Sequence, residues 1–127
     1  MRIVTTVNTV LIVDDHEGYR TFLAKLLEGE SLTVCGTTGD GESALDVVRD
    51  VEPDVVVLDV QLPGIDGFEV AKRIAEYPHH PVVILTSTRD AEDFGSRIAL
   101  APVLGFVPKH EMSLVRLESM LATHGAA

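Results

Sequence analysis

The sequence has no tryptophan, and its only aromatic residues are two tyrosines and four phenylalanines. A core must therefore come from aliphatic side chains, and hydrophobic residues do reach 46% of the 127, too many for a disordered segment. Basic residues are scarce. Ten Lys and Arg stand against twenty Asp and Glu, a net charge of −10. Nucleic-acid affinity comes largely from neutralising phosphates with Lys and Arg, so no direct nucleic-acid binding is expected. The single cysteine, Cys35, cannot form an internal disulfide; it reads as a buried thiol in a reducing, cytoplasmic setting. No apolar run approaches the ~20 residues of a membrane span and no signal-peptide pattern opens the chain, so no membrane partner is expected. Repeats, linkers and low-complexity segments are missing too. One domain over 1–127 is the expectation, with no effector domain in the chain.

What is present is a set of short β-branched runs that end on polar residues. Pro53-Asp54-Val55-Val56-Val57-Leu58-Asp59 is the strongest. Its unbroken apolar stretch predicts a strand buried on both faces, as in a parallel sheet. Thr9 to Val13 reads as a second such strand, ending on Asp14-Asp15. Leu32 to Cys35 is a third, and Pro81 to Leu85 a fourth, ending on Thr86-Ser87. Leu104 to Val107 is the last, with Pro108 suiting the end of an edge strand.

Helical periods alternate with these runs. Tyr19, Phe22, Leu23, Leu26 and Leu27 make an apolar stripe on a helix from about His16 to Glu28. Ala44, Leu45 and Val48 face inward on the next. Asp66 and Glu69 have capping-box spacing, which starts a helix at Gly67-Phe68 with Ala71, Ile74 and Ala75 on its core side. Arg89 to Leu100 is a weak helix, interrupted by Gly95 and ended before Pro102. A final helix, Met112 to Ala122, buries Leu114, Leu117 and Leu121. Five strands alternating with five helices predict an α/β fold with a doubly wound parallel sheet.

In such sheets ligands sit beyond the carboxyl ends of the strands. Asp14, Asp15, Asp59 and Thr86 all stand there, and Lys109 follows the last strand. Singly, each has an ordinary reading: a helix cap, a turn hydroxyl, a solvated lysine. Together they ask for more. Two carboxylates ~4 Å apart repel by roughly 4 kcal/mol at an effective dielectric of ~20, so either their pKa values rise or a cation joins them. Hard oxygen donors favour Mg²⁺, with Mn²⁺ as its substitute, and leave room for phosphate oxygens. Lys109 can add a second positive charge and Thr86 a hydroxyl donor, an assembly suited to phosphoryl transfer. His79 and His80, between Pro78 and Pro81, read as an exposed turn.

Five motifs carry a resemblance: Leu11-Ile12-Val13-Asp14-Asp15, Val57-Leu58-Asp59, Leu62-Pro63-Gly64-Ile65-Asp66-Gly67, Leu85-Thr86-Ser87, and Gly105-Phe106-Val107-Pro108-Lys109. In this order, over roughly residues 9 to 122, the chain resembles a receiver domain of bacterial two-component response regulators. The resemblance implies a flavodoxin-like (βα)5 sheet of order 2-1-3-4-5. It implies that Asp59 is the phosphoacceptor, a nucleophile forming an acyl phosphate. It further implies that Asp15, Asp59 and the Gln61 backbone carbonyl bind Mg²⁺ directly, with Asp14 acting mostly through water. Lys109 pairs with the phosphoryl group, and Thr86 and Phe106 form a switch pair. The implied donor is a phosphohistidine on a sensor histidine kinase or histidine phosphotransferase. Output is expected at the face of the fourth helix, fifth strand and fifth helix, with homodimerisation on phosphorylation. Such a domain catalyses its own phosphorylation and dephosphorylation and is not a turnover enzyme.

The chain departs from the pattern at His110, where many receivers have a cis proline, and a trans peptide is expected there. Pro102-Val103 likewise replaces the usual Gly-Ala. Two rival readings fit the sequence less well. A Mg²⁺-dependent phosphatase with an aspartyl intermediate usually has a second acid two residues after the nucleophile, where this chain has Gln61. Gly39-Asp40-Gly41-Glu42-Ser43-Ala44 fits a dinucleotide-binding fingerprint, but Asp40 and Glu42 would set negative charge beside a pyrophosphate.

Overall fold

The computed structural model describes residues 8–124. Five strands, β1 (Asn8–Val13), β2 (Leu32–Thr38), β3 (Val55–Asp59), β4 (Val82–Ser87) and β5 (Gly105–Pro108), alternate with helices α1 (Glu17–Leu27), α2 (Gly41–Val51), α3 (Gly67–Ile74), α4 (Arg97–Leu100) and α5 (Leu114–Thr123). All pairings are parallel and the sheet order is β2-β1-β3-β4-β5, as expected.

The alternation of side chains along each strand divides the core in two. Leu11, Val13, Val56, Leu58, Val83 and Leu85 pack against Ala44, Leu45 and Val48 of α2 and Val70, Ala71 and Ile74 of α3. Val10, Ile12, Val55, Val57, Ile84 and Val107 pack against Leu23 and Leu27 of α1 and Leu117 and Leu121 of α5. Successive residues of β1 and β3 thus serve opposite layers, which is why Val10 to Val13 and Val55 to Leu58 are apolar without a break. Asp40 caps α2 through Ser43 N (2.8 Å), Asp66 caps α3 through Glu69 N (2.9 Å), and Ser113 caps α5 through Arg116 N (3.0 Å).

Several expectations are corrected. Strand β2 runs three residues past Cys35, because Thr37 and Thr38 pair with Ile12 and Val13 beyond a register shift at Val10/Leu11. Cys35 is half-buried, its Sγ 3.5 Å from the Val10 carbonyl, and burial raises the thiol's pKa. Phe22 is 57% exposed. It lies about 100° around α1 from Leu23, so its ring rests on Tyr19 (centroids 6.1 Å apart) at the rim of the stripe. Ala75, the C-cap of α3, is exposed, and Leu114 is only half-buried.

The region from Arg89 to Leu100 breaks up as its sequence foretold. A 3-10 turn, Ala91–Phe94, is followed by Gly95 at φ +59° and then the four residues of α4. No peptide bond among the described residues is cis, so Lys109-His110 is trans. His79 and His80 are exposed and face backbone carbonyls of Pro53 and Tyr77 (3.3 and 3.2 Å).

Candidate functional site

Parallel pairing brings the ends of β1, β3, β4 and β5 to one edge. Asp14 continues the sheet by donating its N–H to Thr38 O (3.0 Å). Its carboxylate, 2% exposed, accepts from His16 N at 2.9 Å. Asp15 points outward and is 38% exposed. Asp59, at the tip of β3, is buried and accepts at Oδ1 from Gln61 N (3.1 Å). The chain then turns through Pro63-Gly64, with Gly64 at φ +77°. It returns so closely that Gly67 N donates to Val60 O (2.8 Å).

Lys109 leaves the end of β5 and reaches across both carboxylates. Its Nζ lies 2.5 Å from Asp14 Oδ2 and 3.2 Å from Asp59 Oδ2. The contact with Asp59 has hydrogen-bond alignment. Asp14 Oδ2 lacks it, so that close contact is a charge pairing. Beneath the ammonium is the ring of Tyr19, 4.3 Å away, holding it by cation–π attraction.

One ammonium serves two buried carboxylates, and their protonation reflects it. Burial pushes the Asp59 carboxyl up to about 6, against the Gln61 N–H and Lys109. Burial acts the same way on Asp14, but Lys109, the His16 N–H and Asp59 together outweigh it and hold Asp14 below the ordinary carboxyl range. Burial would lower Lys109; its two acidic partners raise it instead.

One donor atom from each of Asp14, Asp15, His16 and Asp59 lies within 4.8 Å of the others, a group able to hold a metal ion. The fit is chemical as well as geometric. An excess of buried carboxylate over positive charge is what a divalent cation relieves. Gln61 lines the adjoining open cleft together with Asp15, Leu62, Asp66, Phe94 and Arg97.

Thr86 stands in register beside Asp59. Its hydroxyl is buried and has no hydrogen-bond partner among the described residues. Phe106 is a strand further on, opposite Leu85. It does not enter the acidic group; it packs behind it, edge-on to Phe94. Sequence reasoning missed His16, Tyr19 and Phe94. Only the adjacency of His16 to two acids could have pointed to it. The dinucleotide reading has no support in this geometry. Asp40 caps α2 with its own carboxylate, and Gly41 makes room for Val70 and Ile65.

The response regulator receiver domain, as a family, matches residues 10–122. The chain is similar to response regulator GacA of Pseudomonas aeruginosa, with 34% identity over 79% of this chain and 47% of that protein. It is also similar to a protein-glutamate methylesterase/protein-glutamine glutaminase of Anaeromyxobacter dehalogenans, with 41% identity over 80% of this chain and 29% of that one. Among solved structures, a two-component response regulator of the LuxR family from Aurantimonas superposes with a TM-score of 0.83 at 26% identity, covering 93% of this chain and 87% of that one. The chain spans less than half the length of these two curated relatives. With the 2-1-3-4-5 sheet and an acidic group at its carboxyl edge, the chain belongs to the receiver domains of two-component response regulators.

Proposed function

We propose that Asp59 is the phosphoacceptor of a signalling switch. The observation that carries this reading is the placement of the Asp59 carboxylate, with Lys109 Nζ at 3.2 Å and an unpartnered Thr86 hydroxyl on the neighbouring strand. An Asp59 oxygen attacks the phosphorus of a phosphohistidine, the P–O bond forms as the P–N bond breaks, and the imidazole leaves with the electron pair. Lys109 neutralises the phosphoryl oxygens and the Thr86 hydroxyl donates to one of them. Asp14, Asp15, Asp59 and the Gln61 backbone carbonyl would hold Mg²⁺ or Mn²⁺, and the ion would supply charge neutralisation there. Between turnovers of signal the same residues release the phosphoryl group to water; the chain acts as a switch and not as an enzyme on external substrates.

The donor is a sensor histidine kinase or histidine phosphotransferase in the cytoplasm. Among the described residues no helix is long and apolar enough to cross a membrane. Movement of Thr86 toward the phosphoryl group frees space behind it for Phe106, and the change reaches partners or a second copy at the α4–β5–α5 face.

The test is labelling by acetyl phosphate in the presence of Mg²⁺. Wild-type chain should be labelled and Asp59→Asn should not. Undiminished labelling of Asp59→Asn would overturn the assignment.

A further inference from the structure

This function leaves His16 without a role, yet its position is specific. His16 is the residue preceding α1, and its side chain makes no capping bond. Although 71% exposed, the imidazole turns back over the acid pair, with Nδ1 3.0 Å from Asp15 Oδ1 and 3.3 Å from Asp14 Oδ1. The His16 N–H, bonded to Asp14 Oδ1, fixes the backbone from which the ring hangs.

Those separations fit one coordination sphere. Adjacent donors around an octahedral ion with bonds of ~2.1 Å are ~3.0 Å apart, and opposite donors ~4.2 Å. The imidazole lies at adjacent-donor distance from both acids, and the 4.8 Å spread of the whole group needs only a small contraction. Separately from the acids, the buried Thr86 hydroxyl beside Asp59 is unpartnered, which leaves hydrogen-bonding capacity for a bound group at this edge.

An all-oxygen site suits Mg²⁺, but imidazole nitrogen is a softer donor that favours later first-row ions. We propose that His16 supplies a nitrogen ligand to the cation site, so that this chain selects a borderline divalent ion of the Co²⁺ type over Mg²⁺. The inference rests on the proposed cation site of Asp14, Asp15 and Asp59. As an N–H donor to Asp15, His16 would be a surface contact of little consequence; as a ligand it sets which ion the switch uses.

The test compares Co²⁺ and Mg²⁺ affinities by calorimetry in wild type, His16→Ala and Asp15→Asn, and adds electron spin-echo spectra of bound Mn²⁺. Even an outer-shell partner of a metal ligand is worth ~10–100-fold in affinity. His16→Ala should therefore weaken Co²⁺ at least ~10-fold and Mg²⁺ by under ~2-fold, and ¹⁴N modulation of the Mn²⁺ echo should vanish with the imidazole. Equal effects on both ions, no effect on Co²⁺, or an echo without ¹⁴N modulation in wild type would overturn the proposal while the oxygen site stood. Failure of wild type to bind either ion, or binding unchanged in Asp15→Asn, would overturn the cation site itself.

Discussion

The ring of Phe94 stands edge-on to that of Phe106, with centroids 5.8 Å apart and planes at 61°. It meets Phe68 in the same manner at 5.7 Å and 67°. The Arg97 guanidinium covers Phe68 at 4.1 Å and reaches Asp66 at 3.4 Å. A continuous line thus runs from β5 to the start of α3, and Phe94 is its middle member. The four-residue α4 has no buried residue and Leu100 is 81% exposed, so little else holds this segment. Movement of Phe106 would break its edge-on contact with Phe94.

Replacing Phe94 with Ala should cost about 2 kcal/mol, less than a fully buried Phe because the ring is only half-buried. Hydrogen exchange should rise across residues 91–100 while β3 and β4 keep their protection. Unchanged exchange in that segment would mean that something other than the aromatic line anchors it.

Asp59 gives metal-free protein a pH dependence of definite sign. Its carboxyl, at about 6 against an ordinary 3.8, binds its proton more tightly folded than unfolded. That contribution to stability is full below about pH 4 and is lost as pH rises through about 6, a loss of about 3 kcal/mol by neutral pH. Asp14, held low, acts oppositely: its contribution is present above about pH 4 and is lost only at more acid pH. Between pH 7 and 5 Asp59 decides. Without divalent cations the melting temperature should climb on acidification over that range. Asp59→Asn should be more stable at pH 7 and show a flatter profile, and Mg²⁺ at pH 7 should raise the wild-type midpoint. A midpoint indifferent to Mg²⁺, or an unchanged slope in Asp59→Asn, would contradict this account.

Much of this edge was legible in the sequence because a parallel sheet sends every strand's carboxyl end the same way. Once Val55 to Leu58 read as doubly buried, Asp14, Asp59, Thr86 and Lys109 had to share a border. What the sequence could not show was how side chains turn once they arrive. Asp14 proved the more buried of the acid pair and the one pressed against Lys109, while Asp15 faces out. The return of His16 over the acids and the seat of Lys109 on Tyr19 follow from rotamers and loop geometry, which carry no periodic signal. Phe22 shows the limit of periodicity itself. Helical spacing marks the stripe but not its rim, where a ring can lie half on its neighbour and half in water.

Among the described residues, Lys109 is the only Lys or Arg side chain that reaches the carboxylates of Asp14 and Asp59. Lys109→Met should therefore strand two buried carboxylates, at about 3 kcal/mol near pH 7. The loss should shrink toward pH 5 as Asp59 takes up its proton, and Mg²⁺ should raise the variant's midpoint more than that of wild type. Lys109→Arg should restore only part of the stability, because a planar guanidinium does not occupy the ammonium's place over Tyr19 and between the acids. A Lys109→Met midpoint independent of pH and cation would show that the ammonium is not what offsets the two acids.

Gly67 ties the position of Asp59 to the start of α3. A Cβ at Gly67 would strike the Asp59 carbonyl oxygen and the Val60 Cα, both backbone, at distances that real Cβ atoms do not adopt. The first turn of α3 and the tip of β3 are pressed together, and the Gly67 N–H to Val60 O bond closes the loop between them. Gly67→Ala should cost about 2–3 kcal/mol and shift the Asp59 backbone, drawing its carboxylate away from Lys109. Gly64 provides the contrast. Its φ of +77° makes Ala unfavourable, but a Cβ there meets nothing within 4 Å, so the cost is about 1 kcal/mol of local strain. Acetyl phosphate labelling, measured well below both melting midpoints, should fall sharply in Gly67→Ala and persist in Gly64→Ala. Equal labelling of the two would mean that the Asp59 carboxylate keeps its place without the close approach of α3.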